Sequence, residues 1–186
     1  MASIIKVDAI QTTAGKPIVN STGGVLQVIS STKTNAYTDN ETSLTDIPGT
    51  DQDGNGSVWC AKITPSSTSS RVFIMLHTSF SASDAGAGLI LFRNATQIYK
   101  GDASGSNKNR FSLLASFGNS SYPTPYYGGG ISHLHYLDSP NLTSEITYKF
   151  QVKIRANSYY INQTNYDVDN DNASRTPSSL TLMEIA

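Results

Sequence analysis

The chain has 186 residues, 38% hydrophobic and 15% charged, and its 13 basic and 14 acidic side chains give a net charge of −1. That length suits one domain with a short appendage, and the abundance of Ser, Thr, Asn and Gly suits many turns rather than a helical bundle or coiled coil. No Lys/Arg block makes an electrostatic case for nucleic acid or an anionic membrane, no apolar run is long enough to span a bilayer, and MASIIKVDAIQTT is too polar for a signal peptide.

Residues 1–29 differ in character from the remainder. Short apolar pairs are separated by Gly15-Lys16-Pro17 and Gly23-Gly24, with no run long enough for a helix. So small a segment cannot bury its own apolar side chains. Ile4, Ile5, Val7, Ile10, Ile18 and Val19 therefore need a partner surface: copies of the same segment, a larger particle, or the chain's own domain. Residues 1–29 are read as an attachment and trimerisation arm, and residues 30–186 as the globular unit.

A strand begins at Val25, followed by a polar stretch from Ser30 to Glu41 that either pairs with it or loops out. Asp51-Gln52-Asp53-Gly54-Asn55-Gly56 matches the opening of a calcium loop, but its twelfth position is Lys62 where a bidentate carboxylate is needed. A turn rich in Asp-Gly and Asn-Gly explains it better. Strands follow at Ser57–Ile63, Arg71–Ser79, Gly88–Arg93, Gln97–Lys100, Phe111–Phe117, Ile131–Leu137, Thr147–Arg155, Ser158–Asn162 and Ser179–Ile185. The clearest is Ile146–Arg155, where Ile146, Tyr148, Phe150, Val152 and Ile154 alternate with polar residues at period two. The apolar last strand must be tucked between neighbours or leave a sticky edge. Many short strands with turns between them predict an antiparallel jelly-roll sandwich.

Candidate chemistry is sparse. Cys60, the only cysteine, excludes an internal disulfide and reads as a small buried residue in a strand. Gly101-Asp102-Ala103-Ser104-Gly105 places its serine one position late for a nucleophile elbow. Gly86-Ala87-Gly88 lacks the third glycine of a dinucleotide site. Asp84, Asp102, Asp138, Glu145 and Asp167–Asp171 sit mostly in turn-forming sequence, where Asp is expected for backbone reasons. Neither catalysis nor a cofactor is expected. His133 and His135 share one strand face, and three copies around an axis would offer six imidazoles to iron, zinc or nickel. The plainer reading of the same pair is a polar strand face or a subunit contact. Tyr122, Tyr126 and Tyr127 stand in the Gly/Pro-rich loop GNSSYPTPYYGGG. Rings on an adaptable loop carried by a rigid sandwich form recognition surfaces for glycan or protein, or else pack down onto the sandwich.

The stretches SIIKVDAIQTTAGKPIVNSTGGVLQV, ITPSSTSSRVFIML and YLDSP…ITYKFQVKIR…YYINQT…RTPSSLTLMEIA resemble virion structural proteins of tailed bacteriophages. They are especially similar to tail-fibre and fibre-like proteins of marine and freshwater phages, including cyanophages. The resemblance implies a homotrimeric β-rich appendage with a compact distal sandwich like a tumour-necrosis-factor head. It implies synthesis in the host bacterial cytoplasm, a place on the tail or capsid exterior, and contact with other virion proteins through the arm. It implies host attachment rather than catalysis, and it carries over no site residue. The chain is short for a fibre and lacks shaft repeats or coiled coil, so a capsid decoration or head-fibre protein is the alternative.

Overall fold

The computed structural model describes residues 23–83, 86–103, 105, 108–117, 130–165, 167–171 and 173–186. They form thirteen strands and, among the described residues, no helix. In chain order these are β1 (Val25–Lys33), β2 (Tyr37–Asp39), β3 (Thr45–Asp46), β4 (Cys60–Ile63), β5 (Arg71–Ala82), β6 (Gly88–Arg93) and β7 (Thr96–Ile98). There follow β8 (Leu113–Leu114), β9 (Ser116–Phe117), β10 (Ile131–Asp138), β11 (Ile146–Lys153), β12 (Tyr159–Ile161) and β13 (Ser178–Ile185).

Two sheets pack face to face. In the first, β13 lies between β1 and β5, with β10 on the far side of β5. At its C-terminal end β5 pairs with β12, which pairs in turn with β2, and with the short β9. In the second, β11 is central, with β6 on one side and β3 and β4 on the other, while β7 and β8 flank β6. Every pairing is antiparallel except β5 with β9. Taking β1, β4, β5, β6, β7, β10, β11 and β13 as the eight principal strands, one sheet holds the first, eighth, third and sixth. The other holds the second, seventh, fourth and fifth. That exchange is the strand order of a jelly roll.

Side-chain alternation explains why these segments pair as they do. Ile146, Tyr148, Phe150 and Val152 of β11, and Ile154 just beyond it, are all buried, with relative exposures of 2% or less. Across the sandwich they meet Val72, Ile74, Leu76, Leu180 and Leu182, equally buried. Each such side chain contributes about 1.5–3 kcal/mol of transfer free energy, so register is strongly specified: a slip of one residue would turn the whole set outward. The turns supply backbone conformations that most residues avoid. Asn141 and Asn157 take φ of 55° and 61°, left-handed values that Asn tolerates.

The differences from expectation have physical causes. Phe111–Phe117 is not one strand, because β8 bonds to β6 and β9 bonds to β5, so the chain changes sheets at Ala115. β5 runs beyond Ser79 to Ala82, with Ser79 and Ser81 buried beneath flanking strands. Part of the polar stretch after Ser30 pairs, as β2, with β12. β1 crosses residue 29 and is bonded to β13 along its length. The turn at Asp51 holds its own cation: Asp51 Oδ1 accepts from the backbone N–H of Asp53 and Asn55, and Oδ2 takes Lys62 Nζ at 2.8 Å.

Candidate functional site: the poles and outer face of the sandwich

β5 fixes the long axis. Its twelve residues span roughly 35–40 Å at the usual strand rise. At its first residue, Arg71 pairs with Ile185, and Ile185 pairs with Val25. Just beyond, Gly23 N–H donates to Ala186 O and Ala186 N–H to Gly24 O, each at 3.0 Å. Chain entry and the C-terminal strand end thus share one pole. At the other end of β5, Ser81 and Ala82 pair with Ser116 and Phe117 of β9, and Phe80 N–H donates to Gly130 O at 3.2 Å. Both flanks of segment 118–129 are therefore fastened at the far pole. Tyr122, Tyr126 and Tyr127 lie in that segment, outside the described residues, as do Ile4, Ile5, Val7, Ile10, Ile18 and Val19 at the start of the chain.

His133 and His135 stand on β10 with exposed side chains, on the outer face of the first sheet. The register sets His77 of β5 opposite His133, with ring centroids 4.9 Å apart. The chain's three histidines thus occupy one face. Beside them, Val28, Met183, Phe73 and Leu137 form one row across β1, β13, β5 and β10. Val28 is 54% and Leu137 39% exposed. The next row toward the far pole is Ser30, Thr181, Met75 and His135. Arg71, at the rim, carries the one formal charge among the outward residues of β5, β10 and β13. Among the described residues, no three His, Cys, Asp or Glu side chains are grouped to hold a metal ion. A cage built on His133 and His135 would need further copies of the chain.

The carboxylates with resolved ion pairs serve the scaffold. Asp138, 4% exposed, accepts both of its 3.0 Å bonds from Arg93 on β6 and one of 2.7 Å from the Tyr148 hydroxyl on β11. It therefore ties β10 to the opposite sheet. Burial, then this hydrogen bond, raise the Tyr148 pKa far above its ordinary value. Glu184, 1% exposed, accepts from Ser66 N–H, the Ser66 hydroxyl and Gln27 Nε2. Burial pushes its pKa up, but these donors outweigh burial and hold the carboxyl at about 2. Asp46 pairs with Lys149, and Asp167 with Arg175. The Cys60 thiol is buried and its pKa raised, first by burial, which disfavours the thiolate a nucleophile would need.

Sequence reasoning found the histidine pair but missed His77, Phe73 and Met183. In sequence they are isolated members of strands some 50 to 110 residues from their partners, and only the cross-strand register assembles the face. Phe73, Met75 and His77 share one side of β5 by period two, and nothing in the sequence says which side faces outward.

No protein-family model matches the chain, and no curated protein matches its sequence. Among solved structures, it is similar to the infectious bursal disease virus Gt strain structure, at 11% identity and a TM-score of 0.37, covering 97% of this chain and 41% of that one. It is also similar to the VP2 subviral particle of infectious bursal disease virus, at 12% identity and a TM-score of 0.37, covering 98% of this chain and 42% of that one. Both likenesses are remote, and the chain spans less than half the length of each of those proteins.

Proposed function

We propose that this chain is a non-enzymatic virion structural protein of a tailed bacteriophage, a homotrimeric tail-fibre or spike module for host attachment. The observation that carries the reading is the polarity of the sandwich: chain entry at Gly23 is at one pole, and the flanks of segment 118–129 are at the other. A module of this kind needs that separation, because the end that holds the particle must not be the end that meets the cell. Residues 1–29 then serve as the attachment arm, with Ile4, Ile5, Val7, Ile10, Ile18 and Val19 engaging copies or a virion neighbour. The loop bearing Tyr122, Tyr126 and Tyr127 meets host glycan or protein. The sequence resemblance to fibre-like phage proteins supports the same assignment.

The outer face of the first sheet is the surface through which copies pack. It is apolar and hydroxyl-rich, with almost no formal charge, so it complements itself better than it complements an acidic or basic partner. Sedimentation of the full chain is expected to give a mass of three chains, and Phe73→Glu with Leu137→Glu to give one, with the β-sheet circular dichroism retained. A single-chain mass for the unaltered protein would remove the trimer. Mass spectrometry of separated tails and capsids then decides position: the chain in tails sustains a fibre or spike, whereas the chain in capsids alone replaces it with a decoration protein.

A further inference from the structure

The second sheet carries a feature that the reading above does not use. Between the β7–β8 connection and the end of β11 lies a recess of about 230 Å³ lined by Lys100, Lys108, Arg110 and Lys153. Those four are drawn from 13 basic residues in the whole chain, and the recess has no carboxylate in its lining. Four cations outside the recess lie against acids: Lys62 with Asp51, Arg93 with Asp138, Lys149 with Asp46 and Arg175 with Asp167. The contrast is sharpest on β11 itself. Lys149 and Lys153 leave the same face of one strand, and Lys149 has its carboxylate at 2.7 Å while Lys153 turns into the basic recess. Gathering like charges around a concavity costs Coulomb energy that an anionic occupant returns.

The recess is built rather than accidental. Its approach from β7 is closed by backbone bonds, since Gly101 N–H donates to Phe111 O at 3.2 Å and Ser112 N–H to Leu89 O at 2.8 Å. Arg110 Nε–H donates to Gly101 O at 2.6 Å, which fixes the guanidinium beside the opening. Tyr99, at a left-handed φ of 45°, stacks on Tyr136 with centroids 4.5 Å apart and anchors the loop's exit from β7. The Phe111 ring lies directly against Gly88, where an added Cβ would meet ring carbons at 2.2–2.6 Å. Gly88 is the register partner of Lys153, so one glycine brings an aromatic ring and an ammonium to the same floor.

Phe111 is half-buried, and the amides of Gln97 and Asn109 complete the wall. Cations for a carboxylate, amides for hydroxyls and a ring face for the C–H side of a pyranose are the groups an acidic sugar requires, in a volume suited to one sugar ring. We infer that this recess binds an acidic saccharide, a uronic-acid unit of a surface polysaccharide, with Lys100, Arg110 and Lys153 facing the carboxylate and Phe111 the ring. The inference does not depend on where the chain sits in a particle.

The test is calorimetric titration of the full chain with an oligogalacturonate, a neutral malto-oligosaccharide of equal length, and sodium sulfate. The oligouronate is expected to bind saturably, with the Kd rising several-fold from 50 to 300 mM salt as screening sets in. The neutral sugar is expected not to bind, and sulfate only far more weakly. Lys100→Gln with Lys153→Gln should weaken oligouronate binding at least tenfold. Lys149→Gln, which removes a charge from the same strand face outside the recess, should leave it unchanged, and melting temperatures establish that each variant is folded. Equal weakening by Lys149→Gln would reduce the effect to net charge and overturn the site. Sulfate binding as tightly as the oligouronate, or the neutral sugar binding as well, would overturn the saccharide assignment.

Discussion

Replacing Glu184 by glutamine isolates what one buried carboxylate does near one pole of the first sheet. In the native protein Oε1 accepts from Ser66 N–H at 2.7 Å and from the Ser66 hydroxyl at 2.6 Å, while Oε2 accepts from Gln27 Nε2 at 2.6 Å. Gln27 also donates to Thr64 O at 2.8 Å, so the carboxylate joins β1, β13 and the connection from β4 to β5. A glutamine keeps the shape but has one acceptor oxygen, and its NH2 must face either the Ser66 donors or the Gln27 amide. If Gln27 turns over to accept, its bond to Thr64 is lost. Hydrogen bonds to a charged group are worth about 1.5–3 kcal/mol, and that is the expected loss at pH 7. For a chain of this size it lowers Tm by roughly 3–12 °C.

The pH dependence sharpens the test. The folded Glu184 pKa of about 2 lies below the ordinary 4.5, so the unfolded chain binds the proton more readily. Its stabilisation is therefore fully present above about pH 4.5 and drains away as pH falls toward 2. Denaturant unfolding of both proteins should show a gap at pH 7 that narrows below pH 4.5. A gap that is absent at pH 7, or constant from pH 7 to pH 3, would refute the reasoning.

Asp138→Asn should cost about 3 kcal/mol in urea unfolding, because it leaves Arg93 without its buried counter-charge; a loss under 1 kcal/mol would mean that Arg93 simply swings to water. Gly49→Ala should destabilise by about 1–3 kcal/mol, since the new Cβ would lie 2.7 Å from Trp59 Cβ and 3.1 Å from its Cα. That contact is with backbone and cannot be relieved by a rotamer change, and an unchanged unfolding midpoint would contradict it.

Much of the framework was legible in the sequence because the solvent itself writes it. Residues 146–154 alternate so strictly that only one face can be buried, and the structure buries that face. Ser178–Ile185 carries Leu180 and Leu182 on its buried face and Met183 and Ile185 on the other, and it lies between β1 and β5 rather than at an unprotected edge. What periodicity cannot encode is which sheet a short segment joins. Leu113–Phe117 serves both sheets in five residues, and its change of allegiance depends on Ala87 and Ser81, far away in sequence. Tyr37–Asp39 was unreadable for another reason: it is three residues long and only Tyr37 packs against the core, so it has no apolar stripe to advertise its pairing with β12. The basic recess was hidden in the same way, because Lys100, Lys108 and Arg110 form no charge run and Lys153 reaches them only through the pairing of β11 with β6.

The shared corner of Gly23 and Ala186 also makes the sandwich mechanically directional. Tension applied between those two residues would peel β1 from β13 one rung at a time, from Val25 opposite Ile185 toward Lys33 opposite Ser178. Tension applied between Gly23 and Gly130, at the far pole, instead runs along the strands. Ladder hydrogen bonds lie across the strands, so a lengthwise load strains all the rungs of that pair together. The same pairing is thus a zipper when pulled from one end and a lap joint when pulled from pole to pole.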